Sequence, residues 1–214
     1  MLARAALIAG FVASPAVASP TAARTQAAFD ALQREQPGVR AVWRGGQPML
    51  ITGLRAVAPG ASAAERAAAF IEARIDLVGR VNLQVEDVDV SGERSVVRFA
   101  QVHGDLRVAD RSVVVTLDAG GRVTRVLNDA VPLVEVRPAT IDAARARAIA
   151  TEKVLGVALP GGVVSQPRKV VFAEGGYGVE GFLVLVARGP GQVVEVRVDG
   201  ADGQVFGQRD TVLR

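Results

Sequence analysis

RSVVRFAQVHGDLRVADRSVVVTLDAGGRVTRVLN, residues 94–128, is the stretch that decides the fold of this chain. Val97, Phe99 and Gln101 alternate with residues of the opposite face, and valine recurs through the whole stretch. This period of two, in β-branched residues, is typical of a half-buried strand. We therefore expect a sheet whose inner face carries Val97 and Phe99.

Two short connections divide this stretch into three antiparallel strands. Residues 103–105 (His-Gly-Asp) form the first, and residues 118–121 (Asp-Ala-Gly-Gly) form the second. Glycine adopts the positive φ of tight hairpin turns at little steric cost. The pattern predicts a three-stranded meander.

A helix is predicted before the meander, from Ser62 to about Val78. Ser62 and Glu65 have the spacing of a capping box, in which each side chain accepts a hydrogen bond from the other's backbone amide. Gly79 is suited to end the helix.

A second helix is predicted after Thr140, which we expect to cap it, with Asp142 near its positive end. Each predicted helix is followed by four short strands. The turns LDAGGRV (117–123) and VDGADGQV (198–205) occupy the same place in both sets. The expected fold class is α+β, with two related units, each a helix packed on an antiparallel sheet.

The first eighteen residues have the pattern of a secretory signal peptide. Arg4 precedes an apolar run at 5–13, and residues 16–18 (Ala-Val-Ala) fit a cleavage site before Ser19. The apolar run is too short to span a membrane. We expect a soluble chain, without a membrane span, that is secreted or periplasmic.

Composition excludes most catalytic chemistry. The chain has no cysteine and one histidine, His103, so a thiolate site or a histidine cluster for zinc cannot form. Residues 176–181 match G-x-G-x-x-G, but a strand pattern follows instead of a helix. The net charge of +3 comes from dispersed arginines without an aromatic stripe, which argues against nucleic-acid binding. We expect no enzyme activity, no metal and no cofactor.

The order of motifs resembles the FTP motif (fungalysin/thermolysin propeptide), followed by a PepSY module. The segments that carry the resemblance are VWRGGQPMLITG, AAERAAAFIEARIDLVG, RFAQVHGDLRV, VVVTLDAGGRVTRV, ARAIATEKVLG and VRVDGADGQVFGQRD. The family often shows Q-x-x-x-G-[VI]-P-V. Gln101 and Val108 fit it, whereas Asp105 stands in the glycine place and Arg107 in the proline place.

The resemblance implies a cystatin-like or PepSY-like fold and a non-catalytic module. Such a module binds, inhibits or assists the folding of a secreted zinc metalloprotease, here in trans because no catalytic domain follows. The alternatives are an extracellular or periplasmic interaction module without a protease partner, a truncated propeptide remnant, and a small-ligand carrier. The oligomeric state is left open.

The resemblance also indicates which residues belong to the family motif and where the units of the chain begin and end. The family-motif positions, which we expect to be structural, are Phe99, Gln101, Gly104, Val108, Asp118, Gly121, Asp199 and Gly203. The tail that could contact a protease is Asp210, Thr211, Val212, Leu213 and Arg214. The expected divisions are a signal peptide at 1–18, an N-terminal helix and hairpin at 19–61, an FTP-like unit at 62–131, a linker at 132–139 and a PepSY-like unit at 140–214.

Overall fold

The computed structural model describes residues 20–156 and 165–211. The expected signal peptide lies outside the described residues. The helices are α1 (Pro20–Glu35), α2 (Ala63–Ala73), α3 (Ile75–Val78) and α4 (Ala143–Leu155). The strands are β1 (Arg40–Arg44), β2 (Gln47–Ala56), β3 (Asn82–Ser91), β4 (Arg94–His103), β5 (Leu106–Asp118), β6 (Val123–Asn128), β7 (Glu135–Arg137), β8 (Arg168–Glu174), β9 (Tyr177–Gly189), β10 (Gln192–Asp199) and β11 (Val205–Thr211).

The first unit is an antiparallel sheet in the order β1-β2-β6-β5-β4-β3. Strands β4, β5 and β6 form the predicted meander. Val97 is fully buried and Phe99 is 3% exposed, within a core that also contains Phe29 of α1 and Phe70 of α2. The expectation that Val97 and Phe99 face inward is confirmed.

The helix before the meander begins as predicted. The Ser62 hydroxyl accepts a hydrogen bond from the Glu65 amide (3.2 Å), and the Glu65 carboxylate accepts one from the Ser62 amide (3.1 Å). The prediction of one continuous helix was wrong. Arg74 has non-helical angles (φ −124°, ψ 31°) and separates α2 from α3, which packs against α1.

The second unit is an antiparallel sheet in the order β8-β9-β10-β11, with α4 across one face. Ala146 and Ala150 of α4 are fully buried against Val184 of β9 and Val196 of β10. Small residues on the inner side of α4 let the helix lie close to a sheet made mostly of valine.

The cap of α4 differs from the prediction. Asp142, not Thr140, is the N-cap, and its carboxylate accepts a hydrogen bond from the Arg145 amide (2.8 Å). The Thr140 hydroxyl instead donates to the carbonyl of Ala201 (2.7 Å). A carboxylate at the N-cap also suits the positive end of the helix.

The two units share strand β5. It pairs with β4 at both of its ends and with β6 in its C-terminal part, and Val108 near its beginning pairs in parallel with Val171 of β8. The segment expected to be a linker contains β7, which pairs in parallel with β9. The sheet therefore runs through both units; the boundaries proposed from the sequence stay a prediction.

None of the helices within residues 20–156 and 165–211 is both long and apolar enough to cross a membrane.

Candidate interaction surface and family-motif positions

The family-motif positions in the meander lie in the core or in its turn. Phe99 and Val108 are buried, at 3% and 0% exposure. Gly104 occupies the turn between β4 and β5 with a φ of 57°, a conformation that residues with a Cβ rarely adopt.

Gln101 is buried, and its side-chain amide forms hydrogen bonds with both backbone groups of a single residue, Val131. Its amide nitrogen donates to the carbonyl of Val131 (2.7 Å), and its amide oxygen accepts from the amide of Val131 (2.9 Å). Both functions of the side chain amide are satisfied, as burial requires. Gln101 thereby holds the segment that leaves the first unit against β4.

The turn between β5 and β6 is closed by Asp118. Its carboxylate accepts from the Arg122 amide (2.9 Å), and its carbonyl accepts from the Gly121 amide (2.9 Å). Gly121 has a φ of 74°.

The turn between β10 and β11 is also closed by an aspartate and a glycine of positive φ, but it is one residue longer. The Asp199 carboxylate accepts from the Ala201 amide (2.7 Å), the Asp199 carbonyl accepts from the Gly203 amide (3.0 Å), and Gly203 has a φ of 78°. In addition, Arg137 of β7 forms an ion pair with Asp199 (3.0 Å).

The predicted protease-contacting tail is described only in part. Asp210 and Thr211 end strand β11, and Asp210, with an 85% exposed side chain, lies 3.6 Å from Arg188. Val212, Leu213 and Arg214 lie outside the described residues.

A carboxylate links β9 to the segment before α4. Glu180 accepts a hydrogen bond from the Ala139 amide (2.9 Å) and forms an ion pair with Lys169 (2.7 Å). The pKa of Glu180 lies below its ordinary value, first because of the hydrogen bond from the Ala139 amide and next because of the Lys169 ammonium. The charged form of Glu180 therefore stabilises this junction.

A groove of about 960 Å³ lies on the second sheet, where β5 and β7 border it. Leu183 lies between Phe182 and Val184 along β9 and so projects to the face opposite α4. The groove lies on that face, with Phe172, Val179 and Phe206 among its apolar residues. Its size is that of a site for a small molecule or a few peptide residues.

Sequence reasoning missed this groove. Its contributions come from six strands that are far apart in the chain, so no local motif marks it. The one available signal was Tyr177, the single tyrosine, placed in a glycine-rich hairpin where burial would not be expected.

A cluster of metal ligands is not assembled in the part of the chain that the structure describes. No three His, Asp or Glu residues within 20–156 and 165–211 are grouped so as to hold a metal ion. His103 is exposed at the end of β4.

Comparison with known proteins gives one family match. Residues 82–130 match the Fungalysin/Thermolysin Propeptide Motif. These residues correspond to strands β3–β6 and the two residues after them. No curated protein matches the chain.

Two solved structures are similar to the chain at low identity. The Bacillus megaterium YpeB C-terminal domain is 13% identical, with a TM-score of 0.39, over 82% of this chain and 76% of that one. A "putative lipoprotein" from Clostridium difficile 630 is 12% identical, with a TM-score of 0.27, over 69% of this chain and 91% of that one. The family match is thus confined to a stretch of the first unit, residues 82–130.

Proposed function

We propose that this protein is a propeptide-like binding module that acts outside the cytoplasm on a secreted zinc metalloprotease, as an inhibitor, a folding aid or both. The observation that carries the proposal is the match of residues 82–130 to the propeptide motif, on strands β3–β6. Of these, β4–β6 form the meander whose inner face belongs to the core. The signal-like sequence at residues 1–18 supports export. The resemblance of residues 140–214 to a PepSY module supports a second propeptide-like unit.

The physical basis of such a function is binding alone. An interface of about 1,600 Å² is enough for a stable complex without any chemistry. A module that binds the native protease but not its unfolded chain stabilises the native form by mass action. The same complex inhibits the protease if it covers the substrate cleft.

The experiment is an inhibition titration. The purified chain is added to a panel of thermolysin-like and fungalysin-like proteases, and hydrolysis of a short peptide substrate is followed. Saturable inhibition, with the chain still intact by mass spectrometry, supports the proposal. Hydrolysis that stays unchanged while the chain remains intact favours the second candidate, an interaction module without a protease partner.

That second candidate has one observation in its favour. The groove on the second sheet exposes aromatic side chains that lie outside the matched residues, so it could serve a partner unrelated to proteases.

A further inference from the structure

Three side chains of the groove lie side by side on neighbouring strands. Tyr177 of β9 pairs with Glu174 of β8 on one side and with Glu135 of β7 on the other. Directly paired residues project from the same face of a sheet, and neighbouring strands lie about 4.8 Å apart. All three residues line the groove. The tyrosine ring is therefore flanked by two carboxylates.

The two acidic residues of this row have no cationic partner among the residues that the structure describes. Within residues 20–156 and 165–211, neither Glu135 nor Glu174 forms an ion pair. Their charge is available to a ligand.

The arginines that line the groove are already engaged. Arg197 is 2.6 Å from the carboxylate of Asp110, and Arg137 is paired with Asp199. Arg111 donates to the backbone carbonyl of Ala173 (2.9 Å) and, at 3.4 Å, to that of Asp129. Because its arginines are bound in this way, the groove is not arranged for an anion.

Two of the three aromatic side chains of the groove are unusually open to solvent. Tyr177 is 62% and Phe206 is 50% exposed, whereas the other aromatic residues in the described part of the chain are buried or half-buried. Phe206 packs edge to face against the buried Phe172, with ring centroids 4.6 Å apart. Exposed aromatics gathered on one concave surface are typical of an interaction site.

We propose that this groove binds an extended segment of a partner polypeptide that carries an arginine next to aliphatic side chains. The guanidinium stacks on the ring of Tyr177 and donates hydrogen bonds to Glu135 and Glu174. Arginine suits this place because its planar fork both stacks on aromatics and pairs with carboxylates. An adjacent aliphatic side chain covers Phe172 and Phe206. The inference goes beyond the protease-directed function and does not depend on it.

The test uses the one tyrosine as its probe. The full chain is labelled with ¹³C-tyrosine, so its single set of tyrosine ring signals reports on Tyr177. It is titrated with the blocked peptide Leu-Arg-Leu and with the matched peptide Leu-Gln-Leu. We expect saturable shifts with the arginine peptide, weakened by added salt, and binding at least about tenfold weaker with the glutamine peptide.

Two double variants complete the test, and each of them removes two negative charges from the chain. Glu135→Gln with Glu174→Gln should weaken binding of the arginine peptide at least about tenfold. Asp87→Asn with Asp89→Asn, on the exposed strand β3, should leave it within about twofold, since charges more than a Debye length apart are largely screened.

Several results would overturn the proposal. These are equal affinity for the two peptides, equal weakening by the two double variants, or no shift of the Tyr177 signals at saturating peptide. Shifts that depend on protein concentration without peptide would assign the groove to a second copy of this chain instead.

Discussion

The hydrogen bonds of Gln101 to Val131 predict a specific loss of stability when the side chain is changed. Replacing Gln101 by methionine keeps most of its volume but removes both bonds. Each bond contributes about 0.5–1.5 kcal/mol net, and a buried group left unpaired costs about 1–3 kcal/mol. Because Gln101 is 2% exposed and Val131 is half-buried, we expect Gln101→Met to lower the free energy of unfolding by about 2–3 kcal/mol.

Two companion variants separate the contributions. Gln101→Ala adds a cavity and should cost about 1 kcal/mol more than methionine. Gln101→Glu keeps an acceptor for the Val131 amide but places a second acceptor oxygen against the Val131 carbonyl. Burial raises the pKa of that glutamate, and only its protonated form can donate to the carbonyl. Its destabilisation should therefore be largest at neutral pH and smaller as pH falls through the raised pKa.

The assay is urea denaturation of each variant at neutral and acidic pH. The m-value, which is the slope of the free energy of unfolding against urea concentration, should be the same for all variants if only their stability differs. A Gln101→Met variant within about 0.5 kcal/mol of the unchanged chain would refute the reasoning, since surface changes have effects of that size. A Gln101→Glu variant whose deficit does not shrink on acidification would refute the assigned geometry.

Three further predictions concern the core, the junction and the second turn. Phe99→Ala should cost about 3–5 kcal/mol in a denaturant melt, because Phe99 is 3% exposed, and a loss comparable to a surface substitution would mean that it is not a core residue. Glu180→Gln should destabilise the folded chain at neutral pH, because it removes the ion pair with Lys169. Since the pKa of Glu180 is below its ordinary 4.5, the difference in stability between the variant and the unchanged chain should fade as pH drops below 4.5. A series of thermal melts that shows a constant difference would contradict this. Gly203→Ala should cost about 1–3 kcal/mol, because its φ is 78° and a Cβ would lie 2.9 Å from the Cδ1 of Ile149; an unchanged melting temperature would exclude that strain.

The meander was predictable because its signal is local. Half-buried strands must alternate, and the turns between them need glycine, so residues 94–128 contain nearly all the information for β4, β5 and β6. The capping box of Ser62 and Glu65 is local in the same way.

Features that depend on distant contacts were missed. The apolar pattern runs on past Arg74, so nothing local marks the break that directs α3 toward α1. The pairing of Val108 with Val171 joins strands from different units. Strand β7 is three residues long in a proline-bearing segment, where a linker is the natural expectation.

The resemblance identified Gln101 but gave it no partner. Sequence assigns the residue type, whereas the bonds to Val131 appear only once β4 and the segment after β6 are placed side by side. The groove around Tyr177 could not be predicted for the same reason, because Glu135 and Glu174 reach it from separate strands.

The central claim, that this chain binds a zinc metalloprotease, is tested most directly with proteases whose catalytic glutamate has been replaced. Such a protease folds and presents its cleft but cannot digest the chain, so binding is measured apart from cleavage. Isothermal titration of the full chain into the panel of inactivated thermolysin-like and fungalysin-like proteases should give one-to-one binding to at least one of them, with a Kd of about 1 µM or tighter. The absence of saturable binding to every folded member of the panel would contradict the account.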